Sequence, residues 1–343
     1  MKNFQKLNNI FGWLTFIVAS VVYLLSIEPT ASWWDCGEYI ATAFKLQVGH
    51  PPGAPLFQMI GRFFSLFAFG DVSHVAMMVN VMSALSSAFT ILFLFWSIVL
   101  FARKLVNTDD GMTAGQMYTV FGAAFIGAMA YTFSDTFWFS AEEGEVYAMS
   151  SFFTAISFWA ILKWESVAND QHSYRWLVLI AFLIGLAVGV HLLNLLVIPA
   201  TCMVYYYKKY KTTKTGMLLT FSLSILILAF VMFIIIPYTV ELSGKFELFF
   251  VNVLGMPFNS GTLIYFVLLI GLLIWAFTPK NQPTTATPAA TTPAPSATVP
   301  SPSGSPSDPP SGTPSASPSP SSTAPTACEP IGVQLTLAGF KSV

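Results

Sequence analysis

Charge is scarce in this chain. Asp, Glu, Lys and Arg together make 9% of its 343 residues, where a soluble globular domain carries about a quarter. That scarcity excludes an ordinary soluble domain. A net charge of −1 with no basic, aromatic-interleaved patch gives no sign of a nucleic-acid surface. Cysteine is scarce too. Cys36, Cys202 and Cys328 have neither metal-type nor redox-type spacing, and Cys36 reads most simply as a small packing residue. There is no P-loop, GxGxxG, HExxH or GxSxG pattern, which argues against nucleotide-driven transport and the common hydrolase designs. The sequence shows no internal repeat.

What is abundant is apolar. Hydrophobic residues make 55% of the chain and the mean hydropathy is +0.66, gathered in long uncharged blocks, which is the membrane signature. The blocks predict spans over roughly 10–27, 76–102, 118–134, 147–163, 176–190, 192–207, 216–238 and 262–279. Lys2 and Lys6 precede the first apolar run, Phe11 to Ile27. No small-residue cleavage site follows it, so an uncleaved first span is favoured over a signal peptide.

Positive charge orients the spans. Lys2, Lys6, Arg103, Lys104, Lys163, Arg175 and the Lys208–Lys214 cluster belong on the cytoplasmic side. Trp176 to Tyr207 is a 32-residue stretch with no formal charge, in which His191 is the one side chain that ordinarily titrates near neutral pH. Keeping Arg175 and Lys208 on one side requires an even number of crossings, so the stretch is predicted to be a hairpin of two short helices turning near Gly189-Val190-His191. The outer face then receives the 28–75 loop, the Ser134–Tyr147 turn, the His191 turn and a loop from about Glu241 to Gly261. Nearly all the acids outside the cytoplasmic loops fall on that side. From Lys280 the composition changes to Pro, Ser, Thr and Ala. Such a segment cannot bury a core, so 280–343 is predicted to be a disordered cytoplasmic tail after a membrane domain over 1–279.

Three polar groups stand out. Asp35 and Glu38 are three apart, which on a helix gives one face and Cβ atoms ~5–6 Å apart. Such a pair should push each other's pKa upward and divide base and orienting roles; the ordinary alternative is a solvated loop face beside the Trp33-Trp34 interfacial anchor. Glu142-Glu143-Gly144-Glu145-Val146-Tyr147 is the second group. If helical, Glu142 and Glu145 share a face and Glu143 points away; the alternative is an acidic cap on the next helix. His50-Pro51-Pro52 is a stiff turn carrying an imidazole, with the prolines expected to hold the following chain extended. His191 and Asn194 are polar residues at the apolar hairpin, either functional or an interhelical hydrogen bond. Lys45, Arg62 and Lys245 are cations on the acid-bearing side, suited either to a bound anion such as a lipid phosphate or to neutralising the acids.

Four motifs in order carry a resemblance. "WWDCGE" (Trp33–Glu38), "GHPPGAPL" (Gly49–Leu56), "FSAEEGEVY" (Phe139–Tyr147) and "GLAVGVHLLNLL" (Gly185–Leu196) resemble a multi-spanning bacterial family related to the animal protein O-mannosyltransferases that act on plexin-type receptors. The resemblance covers about residues 8–279. It implies an all-α integral membrane GT-C glycosyltransferase, here a bundle of about eight spans with outer-face loop helices. Such an enzyme would sit in a bacterial inner membrane with its active site facing the exterior. It would move a sugar, mannose by the family, from a polyprenyl-phosphate carrier to Ser or Thr of an exported protein. The resemblance carries the catalytic acid over to Asp35, with Glu38 beside it, and the His-Pro-Pro turn to His50, Pro51 and Pro52. Asp35 would take the hydroxyl proton as lipid phosphate leaves with inversion. Lys45, Arg62 or His191 would meet the phosphate charge. Glu142, Glu143, Glu145, Tyr147 and Asn194 would line the substrate site.

No cofactor is expected, although the acids would suit Mg²⁺ or Mn²⁺. Family members usually continue with more spans, so the break near Lys280 predicts a truncated gene or a tail read in a shifted frame. The other readings are a lipid-linked-sugar transferase acting on a glycan or lipid, a transporter or flippase, which would place acids at mid-membrane, and a structural protein.

Overall fold

The computed structural model describes residues 2–106 and 112–278. The tail expected over 280–343, with Cys328, lies outside the described residues. Among those described there are twelve α-helices and no strand, as lipid requires of an unclosed chain that must satisfy its own backbone groups. The protein is an all-α membrane protein. Its helices are α1 (Lys2–Leu25), α2 (Cys36–Lys45), α3 (Pro55–Ser65), α4 (Val75–Leu105), α5 (Ala114–Thr132) and α6 (Asp135–Glu142). They continue with α7 (Val146–Val167), α8 (Tyr174–Val188), α9 (Val197–Lys209), α10 (Lys214–Phe230), α11 (Ile236–Asn252) and α12 (Ser260–Phe277).

Four helical stretches are long and apolar enough to cross a bilayer alone: Asn3–Leu25, Val72–Leu105, Val146–Val167 and Lys214–Asn252. A fifth forms if α5 and α6, bent by 65°, count as one. The remaining expected spans are shorter helices; α9 has 13 residues, about 20 Å at 1.5 Å per residue against a ~30 Å hydrocarbon core.

α4 is the central post. It packs against α1, α3, α5, α6 and α7. Its apolar residues run all round, so it has no solvent-facing side to keep polar. Val79, Met82, Ala84, Ile91 and Phe95 are all but fully buried. Two apolar cores flank it: one under α2, α3, α7 and α8, the other between α1, α5 and α6.

The 174–209 stretch is a hairpin. The hydroxyl of Ser173, just before α8, donates to the Ala168 carbonyl at 3.2 Å. Lys209, ending α9, donates to the same carbonyl at 2.5 Å. Both ends therefore sit at the C-terminal end of α7. Its turn sits at the other end, where the His191 ring lies 5.4 Å from Tyr147 and the Gly189 carbonyl accepts from Leu56 N–H at 2.8 Å.

The seventh expected span ends later than the sequence predicts. α10 runs through a π-turn, Val231–Ile235, into α11, so the helix continues to Asn252. Pro237 therefore lies inside a continuous helical stretch, and the π-turn just before it is where the helix accommodates the missing N–H and the ring. Much of the loop expected from Glu241 to Gly261 is helix, with a Lys245–Glu241 pair one turn apart at 2.6 Å.

Candidate active site

The site grows from the head of α2. This helix buries Cys36, Tyr39, Ile40 and Ala43, the i, i+3, i+4, i+7 stripe of an amphipathic helix. That stripe leaves Asp35 and Glu38 outside. Asp35 is the N-cap residue, its carbonyl accepting the Tyr39 N–H at 2.9 Å. The chain leaves α2 through Leu46 in a left-handed conformation and returns to the acids at His50. Glu38 clasps it twice: Oε1 accepts the His50 backbone N–H at 2.6 Å, and Oε2 lies 3.1 Å from Nδ1. The other ring nitrogen, Nε2, lies 3.9 Å from Asp35 Oδ2. Gly49 permits the return, since a Cβ there would stand 3.1 Å from Glu38 Oε1.

Two expectations are corrected here. Glu38 is not raised by its neighbour; hydrogen bonds from the His50 backbone and ring hold its carboxyl below the usual range. His50-Pro51-Pro52 does not lead into extended chain. It closes a turn in which Gly53 N–H donates to the His50 carbonyl at 2.8 Å, and Gly53 takes φ +88°.

The second group of acids is also arranged differently from the helical expectation. α6 ends at Glu142, and Glu143 (φ −118°, ψ 151°) and Glu145 (φ −118°, ψ 165°) are extended. Between them the chain turns tightly at Gly144, the Glu145 N–H donating to the Glu143 carbonyl at 2.9 Å, the i→i+2 bond of a γ-turn. Glu143 and Glu145 are both buried, 4% and 5% exposed, and Glu142 turns away to the Trp138 indole N–H. Gly144 lets this turn press against α2 and α4: a Cβ would meet Asn80 Oδ1 at 2.9 Å and Ile40 and Val79 side chains at 3.1 Å.

The buried pair reaches the first loop directly. The Ser32 hydroxyl faces Glu143, whose carboxyl burial pushes up. The Asp35 backbone N–H faces Glu145. Burial first, then the charges of Glu143 and Asp35, push the Glu145 carboxyl up to about 7. Tyr39 lies among these acids; burial, Asp35, Glu145, Tyr147 and Glu38 push its phenol up to about 12. Asn80 on α4 ties the start of the loop, its Nδ2 donating to the carbonyls of Glu28 at 2.6 Å and Thr30 at 3.0 Å.

The other expected residues divide. Tyr147 and His191 stand ring to ring at the same end of the bundle. His191 Nδ1 accepts the Leu193 N–H at 3.2 Å, which leaves the proton on Nε2, and burial lowers its pKa. Asn194 is spent on structure: it is 2% exposed, with Oδ1 accepting from Thr154 at 2.6 Å. Lys45 and Arg62 are not brought to the acids. Lys45 is in the last turn of α2, about 15 Å from its head at 1.5 Å per residue. Arg62 Nη1 donates to the Phe44 carbonyl at 2.7 Å, so it too caps the far end. Lys245 pairs with Glu241 within α11.

Sequence reasoning passed over Ser32, Tyr39, Asn80 and Gly144. Asn80, an amide inside an apolar helix, carried a usable signal, because polar groups at membrane depth are expensive. Gly144 carried another, as a turn residue between two acids.

A family model for the protein O-mannosyl-transferase TMEM260 N-terminal domain matches residues 35–214, more than half of the chain. The chain is 29% identical over 143 residues, 42% of its length, to protein O-mannosyl-transferase tmem260 of Dictyostelium discoideum. It is 24% identical over 173 residues, 50% of its length, to protein O-mannosyl-transferase TMEM260 of Mus musculus. These matches span 16% and 22% of the two relatives. Both are eukaryotic, so neither bears on a bacterial membrane. No solved structure matches the chain.

Proposed function

This chain belongs to the TMEM260 N-terminal-domain family, and from that premise we propose that it transfers a sugar, mannose, from a polyprenyl-phosphate carrier to Ser or Thr of an exported protein. Asp35 is the base. The observation that carries this is its position: the side chain is 60% exposed at the head of α2, beside His50, while its own backbone N–H faces the buried Glu145. A carboxylate that is open to an acceptor yet fixed at its backbone suits general-base work. The acceptor hydroxyl oxygen attacks the anomeric carbon, Asp35 takes its proton, and the lipid phosphate departs from the opposite face with inversion. Glu38 orients His50, and Tyr147 with His191 forms a wall of the same site.

The sidedness drawn from Lys and Arg puts this end of the bundle on the outer face, where a lipid-linked donor needs no nucleotide. A transporter would carry its acids in broken helices at mid-membrane. Here they sit in the connections between α1 and α4 and between α6 and α7, which favours the transferase.

The test is reconstitution of the full chain in liposomes with polyprenyl-phosphate-mannose and a Ser/Thr peptide, comparing wild type with Asp35→Asn. General-base loss lowers transfer ~10²–10⁴-fold with the melting temperature unchanged. Equal transfer by the two proteins would remove Asp35 from the reaction.

A further inference from the structure

Where Lys209 meets the Ala168 carbonyl, at the end of the bundle opposite His191, lies a cavity that the proposed transfer does not use. It sits between α8, α9 and α10 and measures about 570 Å³, within the ~300–1,000 Å³ of ordinary ligand sites. Tyr205, Tyr206 and Tyr210 line its mouth, and Leu219, Leu223 and Ile227 of α10 continue it inward. From Gly216 to Ile227 that wall runs roughly 16 Å at 1.5 Å per residue. The mouth is firmly built. Tyr205 stacks on Trp164 at 5.2 Å, and Tyr206 on Tyr210 at 6.0 Å. The Tyr206 hydroxyl donates to the Lys211 carbonyl and accepts the Thr213 N–H, each at 3.1 Å, which ties down the loop between α9 and α10. Gly216 makes room for that ring, since a Cβ there would collide with the Tyr206 hydroxyl.

Positive charge gathers at this mouth with no acid to answer it. Lys208 and Lys209 end α9, Lys211 follows Tyr210 in the loop, and Lys214 opens α10. Between Asp170 and Glu241 the sequence has no acidic residue. Other basic residues at this end are engaged within the chain. Lys104 pairs with Glu165. Arg103 lies 4.8 Å over the Phe4 ring, and Lys163 5.9 Å over Trp159. Among the described residues no carboxylate pairs with Lys208, Lys211 or Lys214. Lys214 also stands in the first turn of a helix, where the dipole favours an anion over a cation. Keeping a helix end out of lipid takes basic residues, but it does not call for a cavity beside them.

We propose that this cavity seats one anionic phospholipid, with its phosphate among Lys208, Lys211 and Lys214 and an acyl chain along the α10 wall. Charge complementarity selects this occupant, as basic pockets between spans take anionic head groups. A zwitterionic lipid would bring its own ammonium against these lysines, and a free phosphate would leave the apolar wall uncovered. Tyrosine suits the headgroup level, with its ring in the apolar layer and its hydroxyl toward water. Thr201, on the cavity wall, keeps a hydroxyl with no hydrogen-bond partner, and an ester carbonyl of the lipid would accept from it. The site stands apart from the transferase reading, since its mouth and the acids lie at opposite ends of α7.

The test is native mass spectrometry of the purified full chain in detergent with equimolar phosphatidylglycerol and phosphatidylcholine. One phosphatidylglycerol per chain is expected, preferred ~10-fold or more, since each lysine near a headgroup adds about fivefold. Replacing three lysines together (Lys208→Gln, Lys211→Gln and Lys214→Gln) should abolish the preference. Leu223→Trp, which fills the cavity and keeps the lysines, should lose the bound lipid. Lys245→Gln, in the α11 pair with Glu241, should change nothing. Equal retention of the two lipids would overturn the proposal, as would an undiminished preference in the three-lysine variant. A preference that survives Leu223→Trp would reduce the effect to surface charge and remove the cavity from it. Displacement by inorganic phosphate would make this a free-phosphate site, and a lipid-free dimer would give the cavity to a second copy; either result sinks the lipid.

Discussion

Glu145→Gln isolates the cost of keeping a carboxyl where this fold keeps it. Glu145 is 5% exposed, and its pKa rises from the ordinary 4.5 to about 7. Each pH unit of such a rise corresponds to about 1.4 kcal/mol, so ionising Glu145 costs the fold up to about 3 kcal/mol. The sign follows from proton linkage. Between pH 4.5 and 7 the folded state holds a proton that the unfolded state has released, so stability falls as pH rises through this window. Below 4.5 both states are protonated and the full stability is present. Glutamine keeps an acceptor for the Asp35 N–H and never ionises. The variant should match wild type near pH 4 and exceed it by up to about 3 kcal/mol at pH 8. Denaturation in detergent, followed by tryptophan fluorescence across this range, reads the difference. A gap that does not vary with pH, or a variant less stable than wild type at pH 8, would refute a protonated, buried Glu145.

Two further changes probe the frame around the site. Gly144→Ala puts a methyl 2.9 Å from Asn80 Oδ1 and 3.1 Å from Ile40 and Val79, so a loss of ~1–3 kcal/mol from overpacking is expected; an unchanged melting temperature would mean the link has room to move. Thr154→Val removes the donor to Asn194 Oδ1 and leaves a buried acceptor unpaired, at ~1–3 kcal/mol. Denaturation checks this, and a neutral result would mean Asn194 finds another donor.

The parts legible in the sequence were those set by charge and length. The hairpin around His191 followed from the parity of Arg175 and Lys208, because a basic residue resists crossing lipid. Asp35, Glu38 and His50 fall within one short loop, and the structure brings them together. At Glu142–Glu145 the helical alternative fails and the other holds in position: Glu145 is the N-cap residue of α7, and Gly144, small enough to lie against α2 and α4, is what allows the turn before it. Arg62 looked like a free cation because sequence distance hides that α2 is a rod, with the acids at one tip and Phe44 at the other. The helix over α10 and α11 outruns the predicted span because that span was bounded by the uncharged block, which closes at Glu241, whereas the helix carries Glu241, Lys245 and Glu247 on to Asn252.

The Glu143-Gly144-Glu145 turn also bears on how the chain is made. It reaches Ser32 and Asp35 across more than a hundred residues of sequence, and Asn80 reaches Glu28 across 52. Closures this long come late, because the intervening chain must be in place first. The first loop therefore leaves the ribosome well before the residues that seat it. Until α6 has emerged, Asp35 has only its local contacts, its place at the head of α2 and its neighbour His50, and lacks the Glu145 carboxyl that faces its backbone N–H. The contacts that seat the first loop can therefore close only after α6 has been made, and a chain stopped before α6 would carry the loop without them.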